Sequence, residues 1–145
     1  MNFSLYSRIS AQAYSLLQVA LLLLMANILS WNIRGLNWPN KPEDVKLFLH
    51  KNNIGLVGLL ETKVKLHKVD TIAANIFPGW RWHHNFHLNP KGGTWIAWQP
   101  RQYNVNILST TDQLTHCQAT KLATRISFHV TFVYEMNKEQ QRLPL

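Results

Sequence analysis

Two short stretches carry side chains of the kind that handle phosphate and metal-bound water. Asn32 and Arg34 close the apolar run Ile28-Leu29-Ser30-Trp31, and Glu61 and Lys63 close the run 54–60. An amide and a guanidinium side by side at a strand exit suit a phosphate oxygen and a metal-bound water. A carboxylate at a second exit offers a hard oxygen to a cation. The alternative is two core strands whose last polar residues are merely solvated.

The elements that must position these residues follow from periodicity. In 27–36, Leu29, Trp31 and Ile33 fall on one strand face, and Ile28, Ser30, Asn32 and Arg34 on the other. Gly35 stops the strand, and Asn37-Trp38-Pro39-Asn40 is turn chemistry. A helix then starts at Asn40 or Lys41, with Pro42 in its first turn and Glu43 and Asp44 near its positive end. Its expected buried face is Val45, Phe48, Leu49 and Asn52. The near-continuous apolar run 54–60 predicts a strand covered on both faces. Strand, helix and buried strand make a βαβ-like opening, so Asn32 and Glu61 are expected on one sheet edge.

A second helix carries the stripe Leu66, Val69, Ile72, Ala73, Ile76 and Phe77, and Pro78-Gly79 ends it. From Trp80 to His87 the period is two, predicting a strand, and 89–93 is a hairpin connection. Thr94 to Trp98, a strand through Tyr103, Val105 and Ile107, and two more over 113–120 and 126–134 complete the reading. The last places Phe128, Val130, Phe132 and Tyr134 on one face. His83 and His84 point to opposite faces of a strand, which argues against a zinc site with His87. The six Trp are expected in the core rather than as base-stacking platforms.

The 145 residues correspond to one domain or part of one, and 46% apolar content supplies a core. Lys plus Arg total 15 against 7 acids, a net charge of +8 that favours polyanionic partners, nucleic acid before an acidic membrane surface. The single Cys117 forms no intrachain disulfide, which fits a reducing compartment. Residues 1–24 read as a leader with an apolar run over 16–24. Its composition fits a signal-peptide core, an organelle transit peptide or a segment added upstream of Met25, and the last is favoured because the strand pattern starts at Ala26. Nuclear or cytoplasmic placement goes with that choice, secretory or organellar placement or a membrane anchor with the others. Residues 138–145 read as a frayed tail.

Taken in order, Ser30-Trp31-Asn32-Ile33-Arg34-Gly35-Leu36, Leu59-Leu60-Glu61-Thr62-Lys63, Lys91-Gly92-Gly93 and Phe132-Val133-Tyr134 resemble the endonuclease/exonuclease/phosphatase superfamily of DNase I-like fold. More narrowly they resemble the apurinic-type endonuclease domain of plant LINE-type non-LTR retrotransposons, which precedes a reverse transcriptase. The resemblance covers 26–137. It implies an α/β (α+β) fold, part of a four-layer sandwich with mostly antiparallel sheets and outer helices. It also implies Mg²⁺-dependent phosphodiester hydrolysis on DNA. In its terms Glu61 is the metal-binding carboxylate and Asn32 orients phosphate or water. Tyr134 contacts the scissile phosphate, and Arg34, Lys63 and Lys91 approach the nucleic-acid backbone.

The chain departs from that pattern in two ways. The family's later Gly-Asp-Phe-Asn and Ser-Asp-His segments, which bring the water-activating Asp and the phosphate-binding His, are not in it. Glu135 stands where the family has a small residue. The resulting expectation is the N-terminal half of an endonuclease domain, inactive alone, with Mg²⁺ bound weakly or not at all and DNA bound without sequence preference. A basic non-catalytic nucleic-acid-binding module and a non-functional translated remnant are the alternatives.

Overall fold

The computed structural model describes residues 27–90 and 93–134, together with the backbone of residues 2–6. The first sheet has the order β2-β3-β5-β4, formed by Ile28–Asn32, Leu56–Leu60, Thr94–Trp98 and Arg81–His84 for β2, β3, β5 and β4. The second has the order β1-β8-β7-β6, formed by Asn2–Tyr6, Ile126–Val133, Leu114–Lys121 and Tyr103–Thr110 for β1, β8, β7 and β6. The pairs β2/β3 and β1/β8 are parallel and the others antiparallel.

Parallel β2 and β3 need a crossover. Helix α1, Lys41–Lys51, supplies it and sits on the outer face of the first sheet beside α2, Leu66–Ile76. Val45 and Leu49 of α1, and Val69, Ala73 and Ile76 of α2, are buried against Val57, Leu59, Trp95 and Ala97 of the sheet. Full burial of each Val, Leu or Ile side chain among them contributes about 1.5–3 kcal/mol. The inner face of the same sheet, Ile28, Leu56, Leu60, Ile96 and Trp98, packs on Tyr103, Val105, Cys117, Ala119, Phe128, Val130 and Phe132 of the second. The described residues therefore stack as helices, sheet and sheet, a mixed α+β sandwich. All five residues of β3 are buried, as its unbroken apolar run requires.

Several expectations are corrected. The buried face of α1 is narrower than its spacing implied. Phe48 lies at its margin against Trp31, ring centroids 4.9 Å apart, and Asn52 is the C-terminal cap, its Nδ2 donating to the Phe48 carbonyl at 2.9 Å. The strand expected over 80–87 ends at His84. There the Phe86 amide donates to His84 Nδ1 at 3.2 Å and Asn85 turns inward, so the alternation stops. Arg34 is not on a strand face: β2 ends at Asn32, and Arg34 itself has left-handed backbone, φ 51°, which breaks the alternation. The pattern beginning at Ala26 gave no sign of β1, which pairs Asn2 with His129 and Tyr6 with Val133 along β8. The apolar run 16–24, the tail 138–145, Glu135 and Lys91 lie outside the described residues. No described helix is long and apolar enough to cross a membrane.

Candidate functional site

Asn32 and Glu61 meet because the β2/β3 ladder continues past the strand ends. Asn32 pairs with Leu60. The amides of Ile33, Gly35 and Leu36 then donate to the carbonyls of Leu60, Glu61 and Thr62 at 2.9, 2.8 and 2.7 Å. Ile33 and Leu36 are buried on either side of Arg34, and Thr62 and Val64 on either side of Lys63. Each cation is thus held outward by two anchored neighbours. Arg34, Glu61 and Lys63 adopt left-handed backbone, φ 51°, 58° and 52°, and Gly35 has φ 103°. Long side chains adopt that region at a cost of order 1–3 kcal/mol each, so the surrounding packing must impose it. The result places two cations and a carboxylate on adjoining turns.

Register fixes which way the other groups face. Leu60 belongs to the core between the sheets, and its partners Asn32 and Thr94 share its face. One pair deeper, Ser30 and Ile96 flank Gly58. Across the interlayer, Thr115 pairs with Phe132. Among the described residues, Ser30 Oγ, Asn32 Oδ1, Glu61 Oε2, Thr94 Oγ1 and Thr115 Oγ1 are the buried side-chain atoms that find no hydrogen-bond partner there. Native interiors hold few such atoms, and each one requires an explanation. Register puts Asn32, Thr94 and Glu61 at one end of the first sheet, the mouth of the sandwich, with Ser30 one pair deeper; solvent, a cation or phosphate would complete them there.

Charge at the mouth is paired only in part. Lys63 Nζ lies 3.3 Å from Glu61 Oε1, with the lysine side chain about half exposed and the glutamate nearly buried. Glu61 Oε2 is left facing inward. Tyr134, next after β8, reaches the same space from the second sheet. Burial first, and the Glu61 charge second, push its hydroxyl above the ordinary tyrosine range. That second cause means the phenol and the carboxylate share one field, and it keeps Tyr134 protonated as a hydrogen-bond donor.

The structure therefore brings together Asn32, Glu61, Lys63 and Tyr134, with Arg34 on the adjoining turn; Lys91 lies outside the described residues. Sequence reasoning missed Asn85, Asn89 and Thr94. Asn85 Oδ1 accepts from the Thr94 amide at 2.6 Å, and its Nδ2 donates to the Thr111 carbonyl at 3.1 Å. Asn89 Nδ2 donates to the Asp112 carbonyl at 3.1 Å. The next residue, Gln113, accepts the Tyr134 amide at 2.6 Å. The two asparagines thus clasp the first sheet to the turn that ends beside Tyr134. Their only sequence signal was residue type, since Asn85 sat in an apparent strand and Asn89 in an apparent turn.

The histidines serve other ends. His83 Nε2 contacts Thr110 Oγ1 at 3.3 Å, and His84 stacks on Trp82 with centroids 5.6 Å apart. Burial lowers the pKa of both; for His83 the His84 charge adds to it, and for His84 the His87 charge adds while Asp70 opposes. Among the described residues no group of three or more His, Cys, Asp or Glu converges to hold a metal. A cation at the mouth would have Glu61 Oε2 and Asn32 Oδ1 as protein ligands. Two hard oxygens fit Mg²⁺, which retains several waters, but they fit it as a weak site.

No protein-family model and no curated protein matches the sequence. Among solved structures the chain is similar to the AP endonuclease LMAP from Leishmania major, with a TM-score of 0.54 and 13% identity. The match covers 74% of this chain and 39% of that one. At that identity the likeness is one of fold, and the fold of this chain is part of a DNase I-like α+β sandwich.

Proposed function

We propose that the mouth of the sandwich binds the phosphodiester backbone of nucleic acid through a site of nuclease type. One observation carries this reading: Glu61 Oε2 and Asn32 Oδ1 are buried and make no hydrogen bond among the described residues, and the register sets Asn32 beside Leu60, the residue before Glu61. Such groups are costly unless something completes them. Glu61 is the carboxylate for a divalent cation, and the Asn32 amide orients a phosphate oxygen or a water beside it. Tyr134, held protonated, donates to a phosphate oxygen. Lys63 and Arg34 neutralise backbone charge from the two adjoining turns. Mg²⁺, when bound, would stabilise charge on a phosphoryl oxygen and lower the pKa of a bound water. The order of the Ser30–Leu36, Leu59–Lys63 and Phe132–Tyr134 motifs supports the narrower kinship with endonuclease domains of plant LINE-type retrotransposons, with DNA as the polyanion.

Cleavage requires more than this set. A positioned general base contributes about 10²–10⁴-fold in rate. Among the described residues Glu61 belongs to no convergent group of three or more His, Cys, Asp or Glu. The chain is accordingly proposed to bind without cutting. The test is a labelled DNA duplex titrated with and without Mg²⁺, against wild type and Glu61→Gln, with plasmid nicking read in parallel. Binding tightened by Mg²⁺ in the wild type only, without nicking above a protein-free control, supports the reading. Binding indifferent to both Mg²⁺ and Glu61 overturns it, and nicking by the wild type overturns the inactivity.

A further inference from the structure

Trp38 is the most exposed large apolar side chain among the described residues, at 68% of its surface. It is not a loose side chain. A Cβ built on Gly35 would stand 3.2 Å from Trp38 Nε1 and 3.3 Å from its Cδ1, so the pyrrole edge of the indole rests in the space that glycine leaves. The Trp38 carbonyl accepts the Lys41 amide at 3.1 Å, which ties the turn to the start of α1. Gly35, the seat of the ring, donates its own amide to the Glu61 carbonyl at 2.8 Å. Arg34 is the neighbour of that seat. An exposed indole is therefore fixed one hydrogen bond from the backbone of the carboxylate, on the turn that carries the exposed Arg34.

We propose that Trp38 is a base-stacking platform and that the preferred ligand of this site is nucleic acid with an unpaired base next to the bound phosphate. The proposal rests on the phosphate-binding reading above and adds the substrate class to it. Aromatic faces take any unstacked base, because every base presents a π-face, whereas a fully stacked duplex offers none along its length. Arg34, on the turn that seats the ring, would hold the phosphate while the ring holds the base. The net charge of +8 supplies the complementary attraction to the polyanion.

The experiment uses the full chain and two fluorescein-labelled probes of equal charge, a short thymidine strand and a blunt two-stranded duplex without a loop. Wild type, Trp38→Ala, Trp38→Phe and Arg34→Ala are compared by anisotropy at fixed salt. Trp38→Ala is expected to weaken the single strand by about 5- to 150-fold, the change that alanine substitution at a stacked base produces. It leaves duplex binding unchanged. Trp38→Phe keeps most of the single-strand affinity, and Arg34→Ala weakens both probes. A strand with one 2-aminopurine gives a second readout, since its fluorescence is quenched on stacking in the wild type and not with Trp38→Ala. Equal single-strand affinity in wild type and Trp38→Ala, while Arg34→Ala still weakens binding, overturns the platform and leaves the phosphate site standing. Equal loss of both probes with Trp38→Ala overturns it too, assigning Trp38 to shaping the turn. Failure of the wild type to bind either probe overturns both proposals.

Discussion

The Phe132 ring lies where Gly58 lacks a side chain: a Cβ on Gly58 would fall against the ring's Cδ1, Cε1 and Cγ. Gly58 is the middle residue of β3 and Phe132 the penultimate one of β8, so this contact sets how closely the two sheets approach beneath the mouth. Glu61 follows Gly58 by three residues, and Tyr134 follows Phe132 by two. The spacing that lets the Glu61 charge act on Tyr134 is therefore fixed by an absent methyl group.

Gly58→Ala is expected to destabilise the fold by about 1–3 kcal/mol, the range for overpacking a well-filled core. Phe132 is wholly buried, and its ring has no open side to swing into. Phe132→Leu should cost stability alone yet recover part of it in the double variant, because the two residues are in contact and their effects do not add. Urea unfolding of the four proteins checks this. Strict additivity would mean that the sheets adjust without the ring.

Binding of DNA is expected to weaken steeply as salt rises, because counterions released from the phosphates drive it. Arg34→Ala should lower affinity uniformly across sequences and reduce the slope of log affinity against log salt by about 1. Lys63→Ala should do less at low Mg²⁺, since Lys63 already lies 3.3 Å from Glu61 Oε1 and is partly neutralised. Anisotropy titrations over a range of salt concentrations read both slopes. An unchanged slope in Arg34→Ala would remove that residue from the interface.

What could be read from the sequence was whatever depended on neighbours in the chain. The period-two face of Leu29, Trp31 and Ile33, the unbroken run ahead of Glu61 and the Pro42 helix start follow from local sterics and burial, and the structure holds them. The parallel adjacency of β2 and β3 followed from a single crossover, and it brought Asn32 and Glu61 together. Partners distant in sequence were not legible. Nothing near Asn85 announces a carbonyl at Thr111, and nothing near Gly58 announces Phe132. Arg34 and Lys63 were assigned by type, while the left-handed turns that aim them depend on buried anchors on both sides. The weighing of the Trp as core residues rather than stacking platforms does not reach Trp38, whose turn holds it outside.

Stability should decline at both ends of the pH range. Burial pushes the Tyr103 hydroxyl from 10.0 and the Cys117 thiol from 9.0 up to about 12. Above pH 9.0 the unfolded chain loses these protons while the native state keeps them, so this contribution is intact below that value and is lost as pH climbs toward about 12. His83 and His84 are shifted the other way, below 6.5. The unfolded chain protonates first there, and stability falls as pH drops beneath that value. A thermal-midpoint profile should show a plateau between the two limits. Cys117→Ala should flatten part of the alkaline limb and His84→Gln part of the acid limb. A midpoint constant across the whole range would contradict both assignments.

The clasp between the sheets gives the sharpest separation of stability from site geometry. Asn85 is buried and uses both ends of its amide, accepting from the Thr94 amide at 2.6 Å and donating to the Thr111 carbonyl at 3.1 Å. Asn85→Ala leaves both backbone groups without that partner, at about 1–3 kcal/mol for each that stays dry. Asn85→Asp keeps an acceptor for Thr94 but sets a carboxylate against the Thr111 carbonyl, so it should break the contact between sheets while preserving the one within the first sheet. That turn runs directly into Gln113, whose carbonyl holds the Tyr134 amide at 2.6 Å. Tyr134 would then sit farther from Glu61, and its pKa should relax toward the ordinary tyrosine value as the Glu61 contribution fades. Ultraviolet difference titration of tyrosine, with Tyr134→Phe identifying the signal, follows the change. Asn85→Asp is expected to lower the Tyr134 pKa and weaken DNA binding while the chain remains folded. A destabilised protein with an unmoved Tyr134 titration would confine Asn85 to holding the fold.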